Sequence, residues 1–181
     1  MDSRRDELVR EGFNHLAAHG FEGLRLRAVA AGVGIDHSTL HHHFRTKQDL
    51  VTAVVQHASR QFWTIMPEHG APEDRLAEHL STLVTMMRTR ADLFAVLNEV
   101  RMRAARDPAM AEAVQRTEAG WREALTGVLA AGVASGAFRP DLDVAATAEL
   151  IVAVSKGAND APDRAEAAFA EVRRLVRSIN G

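Results

Sequence analysis

The sequence predicts an all-α protein, and three observations support this fold class. Apolar residues recur at intervals of three and four along almost the whole 181-residue chain, which is the spacing of one face of an α-helix. Alternation of apolar and polar residues with a period of two, as in half-buried strands, is nearly absent. Glycines, prolines and capping residues interrupt the periodic runs and divide the chain into about nine predicted helices.

The first two predicted helices precede residue 34. Leu8, Phe13 and Leu16 mark the apolar face of the first helix. We expect this helix to stop at Gly20, because glycine takes the left-handed conformation at a helix C terminus without strain. The apolar spacing over residues 26–33 then predicts a second, very short helix.

Capping residues predict where the third and fourth helices begin. Asp36 can accept hydrogen bonds from the first free amides of a helix that runs to about His43. Thr46 and Asp49, three residues apart, form a variant of the capping box. We expect the fourth helix to start there and to extend to Ile65.

Longer helices are predicted after the breaker PEHGAP at residues 67–72. Two apolar stripes precede Pro108, where the second of these helices ends. A long helix then runs to about Gly136, and two more helices complete the chain.

Residues 143–156 are apolar on nearly every side, and such a helix must be covered on every side. A second copy of the molecule is the simplest cover for a chain of this length. We therefore expect a homodimer that forms through residues about 143–157 and 163–179. Ile151 and Leu175 are expected on the contact surface.

Composition restricts the class of protein. With 46% hydrophobic and 25% charged residues, the chain can bury a core. It has no cysteine, so disulfides and thiolate chemistry cannot contribute and a reducing compartment is the simplest context. The amino-terminal residues carry charges of both signs, and no stretch approaches the length of apolar sequence that a membrane span needs. We expect a soluble, cytoplasmic protein.

Positive charge is concentrated in residues 23–48, although the net charge of the whole chain is −2. Four cations in this window, Arg25, Arg27, Arg45 and Lys47, oppose the single anion Asp36. An excess of positive charge over a short segment is typical of a contact with a polyanion.

The same window contains LRAVAAGVGIDHSTLHHHF, residues 26–44, with Gly34 at a tight turn between two short helices. This is the geometry of a helix-turn-helix unit, whose second helix enters the major groove of DNA. The residues expected to face inward are Val29, Val33, Ile35, Leu40 and Phe44. The residues expected to face outward, all able to reach base edges or phosphates, are His37, Ser38, Thr39, His41 and His42.

Several short motifs lie between residues 5 and 55. They are an aliphatic-Ala pair at Val29-Ala30, a Gly-aliphatic pair at Gly34-Ile35, the run Thr39-Leu40-His41-His42-His43-Phe44, the stretch Lys47 to Leu50, and a first helix with Leu8, Gly12, Leu16 and Gly20-Phe21. In this segment the chain resembles the TetR family of transcriptional regulators. The family has tyrosines where this chain has His41 and His43.

The resemblance implies a homodimeric repressor with two domains. Residues 1–46 would form the helix-turn-helix DNA-binding domain, and residues 47–181 a helical bundle for dimerisation and for binding a small-molecule inducer. Two reading helices, one per subunit, must then be separated by about one turn of duplex, roughly 34 Å or a near multiple. An inducer releases the DNA only to the degree that it prefers the conformation that does not bind it.

The resemblance also implies which residues meet DNA. The residues implied to contact the groove are Arg27, His37, Ser38, Thr39 and His42. Those implied to contact the DNA backbone are His41 and Lys47. Because protonated histidine donates stronger hydrogen bonds than neutral histidine, we expect operator affinity to rise as the pH falls toward about 6.

Large, soft side chains on the predicted helices of the second region are candidates for an inducer cavity. The candidates are Trp63, Met87, Phe94, Met102 and Trp121, with Asn98 as a polar contact. Each of them could equally fill the core, which is the usual role of large apolar residues at helical spacing.

Three other kinds of site have less support. Consecutive helical positions point about 100° apart, so the adjacent histidines His41, His42 and His43 cannot share a metal ion. Only His37 and His41 have the four-residue spacing of two ligands on one helix face. Motifs for nucleophilic catalysis or for phosphate-binding loops are missing from the sequence. We expect no metal, no cofactor and no enzymatic activity, with a helical enzyme and a protein-binding module that uses the carboxy-terminal cavity as alternatives.

Overall fold

The computed structural model describes residues 3–63 and 66–177, without the side chains at positions 3, 62, 63, 109 and 117. Over these ranges the chain forms nine α-helices and no β-strand, which confirms the predicted all-α class. The helices are α1 Ser3–Gly23, α2 Leu26–Gly32, α3 His37–His43, α4 Lys47–Trp63, α5 Pro72–Thr89, α6 Ala91–Ala104, α7 Pro108–Ser135, α8 Val144–Gly157 and α9 Pro162–Val176. The predicted end of the fourth helix at Ile65, and residues 178–179 at the end of the predicted dimer contact, lie outside the described residues. Of the helices in the described ranges, none has both the length and the hydropathy to cross a membrane.

The chain divides into two compact units. Unit 1 comprises residues 1–61 and 92–117. It therefore contains α1, α2, α3 and nearly all of α4, together with most of α6 and the first part of α7. Unit 2 comprises residues 62–91 and 118–181, which contain α5, the rest of α7, α8 and α9. The two units do not coincide with the predicted segments 1–46 and 47–181, because residues far apart in the sequence pack together in each unit. The assignment of DNA binding to residues 1–46 and of inducer binding and dimerisation to residues 47–181 stays a prediction.

The first four helices of unit 1 pack around an apolar core. Leu8 of α1, Leu40 of α3 and Leu50 of α4 are fully buried, and each such side chain contributes about 1.5–3 kcal/mol relative to an exposed one. Gly12 allows α1 to approach α4 closely, since a Cβ atom there would lie 3.0 Å from Cγ2 of Val54. A larger residue at position 12 would therefore push these helices apart.

Gly20 interrupts α1 instead of ending it. Its φ of 61° is positive, as predicted, but its ψ of −173° lies outside the left-handed helical region. That combination is accessible essentially to glycine alone. A hydrogen bond from Leu24 N to Gly20 O at 3.2 Å then forms one more turn, so α1 ends at Gly23 and not at the predicted Gly20. This turn buries Phe21 and Leu24.

The predicted capping box at the start of α4 is confirmed. Thr46 N donates to Asp49 Oδ2 at 2.9 Å, and Asp49 N donates to Thr46 Oγ1 at 3.1 Å. These reciprocal bonds satisfy amides that have no partner inside the helix, which explains why α4 begins at Lys47.

The turn after α7 is closely packed within unit 2. Gly136 ends this helix with a φ of 79°, near the predicted position. Phe138 N donates to Gly132 O at 3.0 Å, and the buried Phe138 ring lies so close to Gly132 that a Cβ atom there would overlap it. Arg139 N donates to Val176 O at 3.0 Å, which connects this turn to the end of α9.

The α8 helix has one buried and one exposed side. Asp143 caps it by accepting from Ala146 N at 2.9 Å. Ile151, expected on an intermolecular surface, is instead fully buried within its own chain. Adjacent helical positions point about 100° apart, and it is the neighbouring Leu150 that is exposed, at 43%. Leu175 of α9 is exposed at 48%, as expected for a residue on an outer surface.

Candidate functional site

The α2 and α3 helices form the predicted helix-turn-helix. Gly34 lies in the turn between them with a φ of 72°, in the left-handed region that favours glycine. Two backbone hydrogen bonds of 3.0 Å close the turn, from Gly34 N to Ala31 O and from Ile35 N to Ala30 O. Leu40 is fully buried beneath α3, so the opposite face of this helix is left to solvent.

Asp36 caps α3, as predicted from its position. Its carboxylate accepts from Thr39 N at 2.8 Å, from Ser38 Oγ at 2.5 Å and from Thr39 Oγ1 at 3.0 Å. Hydrogen bonds donated to a carboxylate favour its ionised form. They lower the pKa of Asp36 from 3.8 to about 2, with the Ser38 hydroxyl as the largest cause.

Ser38 and Thr39 also have a structural role, which their sequence positions did not indicate. Both were predicted to face DNA, and both hydroxyls donate their protons to Asp36. A hydroxyl that donates its proton keeps lone pairs with which it can accept. In this arrangement the two side chains can recognise hydrogen-bond donors at base edges, such as the amino groups of adenine and cytosine.

Histidines occupy much of the outer face of α3. His41 and His42 are exposed, and His37 is partly exposed. The rings of His37 and His41 meet edge to face with their centroids 4.4 Å apart, which the four-residue spacing on a helix allows. Arg27 on α2 is also exposed. Polar and cationic groups therefore cover the part of the motif that was predicted to meet DNA.

Lys47, at the start of α4, has a protein partner. Its Nζ donates to the backbone oxygen of Phe21 at 2.5 Å, and its side chain is partly buried. An ammonium group has three donors, so this bond leaves two for another acceptor. Lys47 also lies in the first turn of a helix, where free amides and the helix dipole favour an anion.

Within residues 3–63 and 66–177, no group of three or more histidine, aspartate or glutamate side chains is arranged to hold a metal ion. His37 and His41 form a pair rather than a set of three.

The predicted inducer-binding residues are divided between the two units. Phe94, Asn98 and Met102 belong to unit 1, whereas Met87 and Trp121 belong to unit 2. The side chain of Trp63 lies outside the described part of the chain. The sequence pattern had placed all six in one group, because helical spacing does not show which helices pack together.

Within unit 1, α6 presents three different environments to its predicted residues. Phe94 is buried in the core, and Asn98 Oδ1 accepts from Arg101 Nη2 at 2.7 Å. Met102 is exposed at 73% and lines an open cleft of about 630 Å³. The cleft also contains Phe21, Glu22, Glu99, Arg103 and Asp107.

Within unit 2, Trp121 and His79 form a buried polar pair. Trp121 Nε1 donates to Nε2 of His79 at 3.0 Å, and His79 is fully buried on α5. Because Nε2 accepts this bond, the imidazole proton resides on Nδ1 in the neutral ring. Met87 is buried on the same helix two turns further on.

His79 is a residue that the sequence reasoning missed. It lies three residues after Leu76 and four before Leu83, within the apolar stripe of α5. A histidine at a stripe position is the signal that could have identified it, since a buried polar group needs a partner. The link between Phe21 and Lys47 was missed as well, because the two residues are 26 positions apart and no local sequence pattern connects them.

Comparisons with known proteins agree with this geometry. The family model described as bacterial regulatory proteins, tetR family, matches residues 8–54, and the model of a tetracyclin repressor-like carboxy-terminal domain matches residues 66–155. The HTH-type transcriptional repressor KstR2 of Mycolicibacterium smegmatis is 27% identical over 146 residues, which cover 78% of this chain and 71% of that protein.

Solved structures show the same fold. A TetR transcription regulator from Haloarcula marismortui matches with a TM-score of 0.87 and 22% identity, covering 98% of this chain and all of that one. The ketosteroid transcriptional regulator KstR2 of Mycobacterium tuberculosis matches with a TM-score of 0.68 and 21% identity, covering 98% of this chain and 97% of that one.

Proposed function

Because this chain belongs to the TetR family of bacterial transcriptional regulators, we propose that it is a repressor that binds operator DNA as a homodimer and is released by a small-molecule inducer. As a family member it is a regulator of transcription and not an enzyme. We assign DNA binding to residues 1–46, and inducer binding and dimerisation to residues 47–181. The repressors among its relatives support repression as the mode of regulation.

The observation that carries this proposal is the outer face of α3. The helix is held by the Gly34 turn and by the Asp36 cap, and its exposed side is polar and rich in histidine. In a helix-turn-helix, the second helix inserts such a face into the major groove. The residues assigned to groove contacts are Arg27, His37, Ser38, Thr39 and His42, and those assigned to phosphate contacts are His41 and Lys47.

The exposed apolar side of α8 and α9 supports the homodimer. Leu150 and Leu175 are large apolar side chains that the single chain leaves in solvent. Ala146 and Ala153 on α8 are exposed as well, at helical spacing from Leu150. We assign the dimer contact to the outer side of residues about 143–157 and 163–179, within their described part.

The buried pair of His79 and Trp121 supports an inducer site in unit 2. An apolar interior with a few convergent polar groups is the usual composition of a small-molecule site. Met87 and Trp121 keep their predicted roles in this assignment, and His79 is added as a polar contact. Phe94, Asn98, Met102 and Trp63 stay candidates from the sequence.

Titration of DNA fragments that flank the gene of this protein tests the proposed function. We expect tight binding to one fragment and weak, strongly salt-dependent binding to unrelated DNA. Lys47→Ala and His41→Ala should weaken binding to every sequence and reduce the dependence of affinity on salt. Thr39→Ala and His37→Ala should instead reduce the preference for the specific fragment.

His69→Ala provides the matched control, because His69 is an exposed histidine outside the helix-turn-helix. It should leave both affinity and preference unchanged. A protein that binds no fragment, even at low ionic strength, would show that the proposed function is wrong.

A further inference from the structure

We propose that Glu99 and Arg103 of α6 are positioning residues for DNA binding, which act through Phe21 on Lys47. This inference rests on the proposed function, since it concerns the affinity for DNA. All four residues belong to unit 1, although Phe21 and Glu99 are 78 positions apart in the sequence.

Phe21 is held by α6 on two sides. Its backbone amide donates to Glu99 Oε1 at 3.4 Å. The guanidinium carbon of Arg103 lies 4.8 Å from the centroid of its ring, within the range of a cation–π contact. Arg103 also pairs with Glu22 at 3.8 Å, so α6 contacts two successive residues of the last turn of α1.

The chain at this point depends on such support. Gly20 has a backbone conformation that only glycine adopts readily, and it separates Phe21 from the regular part of α1. A Cβ atom at Gly20 would lie 3.5 Å from Glu99 Oε1, so the carboxylate stands directly beside the interruption. Contacts with α6 therefore add to the burial of the Phe21 ring in holding the carbonyl of Phe21 in place.

That carbonyl determines the position of Lys47. Its oxygen accepts from Lys47 Nζ at 2.5 Å, and two donors of the ammonium group stay available to a phosphate. A free lysine loses rotamer freedom when it binds, whereas one already held by Phe21 has lost much of it beforehand. Fixing Phe21 should therefore strengthen DNA binding through Lys47.

The negative charge of Glu99 and its contact with Phe21 are expected to have opposite effects on DNA affinity. Removing a negative charge from a DNA-binding unit should tighten binding if only charge matters. We expect Glu99→Leu, which removes the acceptor for Phe21, to weaken binding by roughly two- to tenfold, the effect of releasing one side chain. Glu99→Gln keeps an acceptor oxygen and should bind at least as tightly as the natural protein.

Arg103→Met should also weaken binding by roughly two- to tenfold. Arg106→Met is the charge-matched control, because Arg106 lies in the same cleft and the cation that stacks on Phe21 is Arg103. Its effect should be limited to the loss of one positive charge, and Arg103→Lys should restore part of the affinity.

A double-mutant cycle with Lys47→Met separates positioning from general damage to the fold. We expect Glu99→Leu and Arg103→Met to have no further effect on affinity in the Lys47→Met background, with melting temperatures recorded for every variant. Additive effects would overturn the inference while the natural protein still binds DNA. Absence of DNA binding by the natural protein would instead refute the proposed function.

Discussion

The α3 and α8 helices begin with the same kind of cap but expose side chains of opposite chemistry. Each is capped by an aspartate that accepts from the amide three residues on, at 2.8 Å for Asp36 and 2.9 Å for Asp143. Each also buries an aliphatic side chain, Leu40 in one and Ile151 in the other. Their outer faces differ: histidine and hydroxyl groups are exposed on α3, whereas leucine and alanine are exposed on α8.

The difference shows that local signals start a helix but do not decide its role. A polar outer face is compatible with water and becomes useful when a polyanion approaches. An apolar outer face is stabilised only when another apolar surface covers it. The side chains that each helix exposes thus indicate what kind of surface can bind to it.

We expect the largest effect when charged residues replace the exposed leucines of α8 and α9. The double change Leu150→Glu and Leu175→Glu should give monomers, because it places charge where apolar contact is proposed. A monomer engages one half-site at a time, so operator affinity should fall by roughly 100-fold or more. Sedimentation and DNA titration would measure the two effects.

Ala134→Glu is a control for this change, since it adds the same charge at an exposed position of α7. It should leave the dimer intact. An intact dimer with both leucines changed would place the contact elsewhere and remove the contrast between α3 and α8.

A second change tests the packing of the turn between α7 and α8. Gly132→Ala would place a methyl group where the Phe138 ring lies, so it should lower the free energy of unfolding by about 1–3 kcal/mol. Gly127→Ala is the matched control on the same helix, because nothing lies within 4 Å of a Cβ atom there. It should stabilise the protein by roughly 0.5–1 kcal/mol. Equal effects of the two changes in chemical denaturation would contradict the close packing of Phe138.

The buried pair of His79 and Trp121 inside unit 2 should stabilise the fold as a unit. Trp121→Phe removes the donor to His79 Nε2 and should cost about 1–3 kcal/mol of stability. Adding His79→Leu removes the polar partner too, so the double variant should lose less than the sum of the two single losses. Strict additivity in thermal or chemical unfolding would show that the pair does not act as a unit.

The smallest expected effect is the pH dependence of the α3 cap. The pKa of Asp36 is lowered to about 2 in the folded protein, so its contribution is complete above pH 3.8 and is lost as the pH falls toward 2. Asp36→Asn can still cap the helix and should reduce stability little at neutral pH, but it should remove this dependence. Asp36→Ala should lower the melting temperature by roughly a few degrees at neutral pH.

Unfolding curves of the three proteins between pH 5 and 2 would check this. A pH dependence of the Asp36→Asn protein equal to that of the natural one would mean that other carboxylates account for it.

The sequence by itself determined the all-α class, most helix boundaries and the helix-turn-helix. The Asp36 cap, the Thr46–Asp49 box and the glycine turns at Gly34 and Gly136 are all confirmed. Each of these features depends on atoms within a few residues of each other, so the local order of residue types is enough to predict it. Gly20 shows the limit, since its positive φ was predicted and the extra turn after it was not.

Only the tertiary structure decided which residues meet across the fold. Lys47 contacts the carbonyl of a residue 26 positions earlier, and Trp121 donates to a histidine 42 positions earlier. The periodic pattern around Ile151 is apolar on nearly every side, so it does not tell which side its own chain covers. Burial is a property of the neighbours that pack against a residue, and those neighbours come from distant parts of the chain.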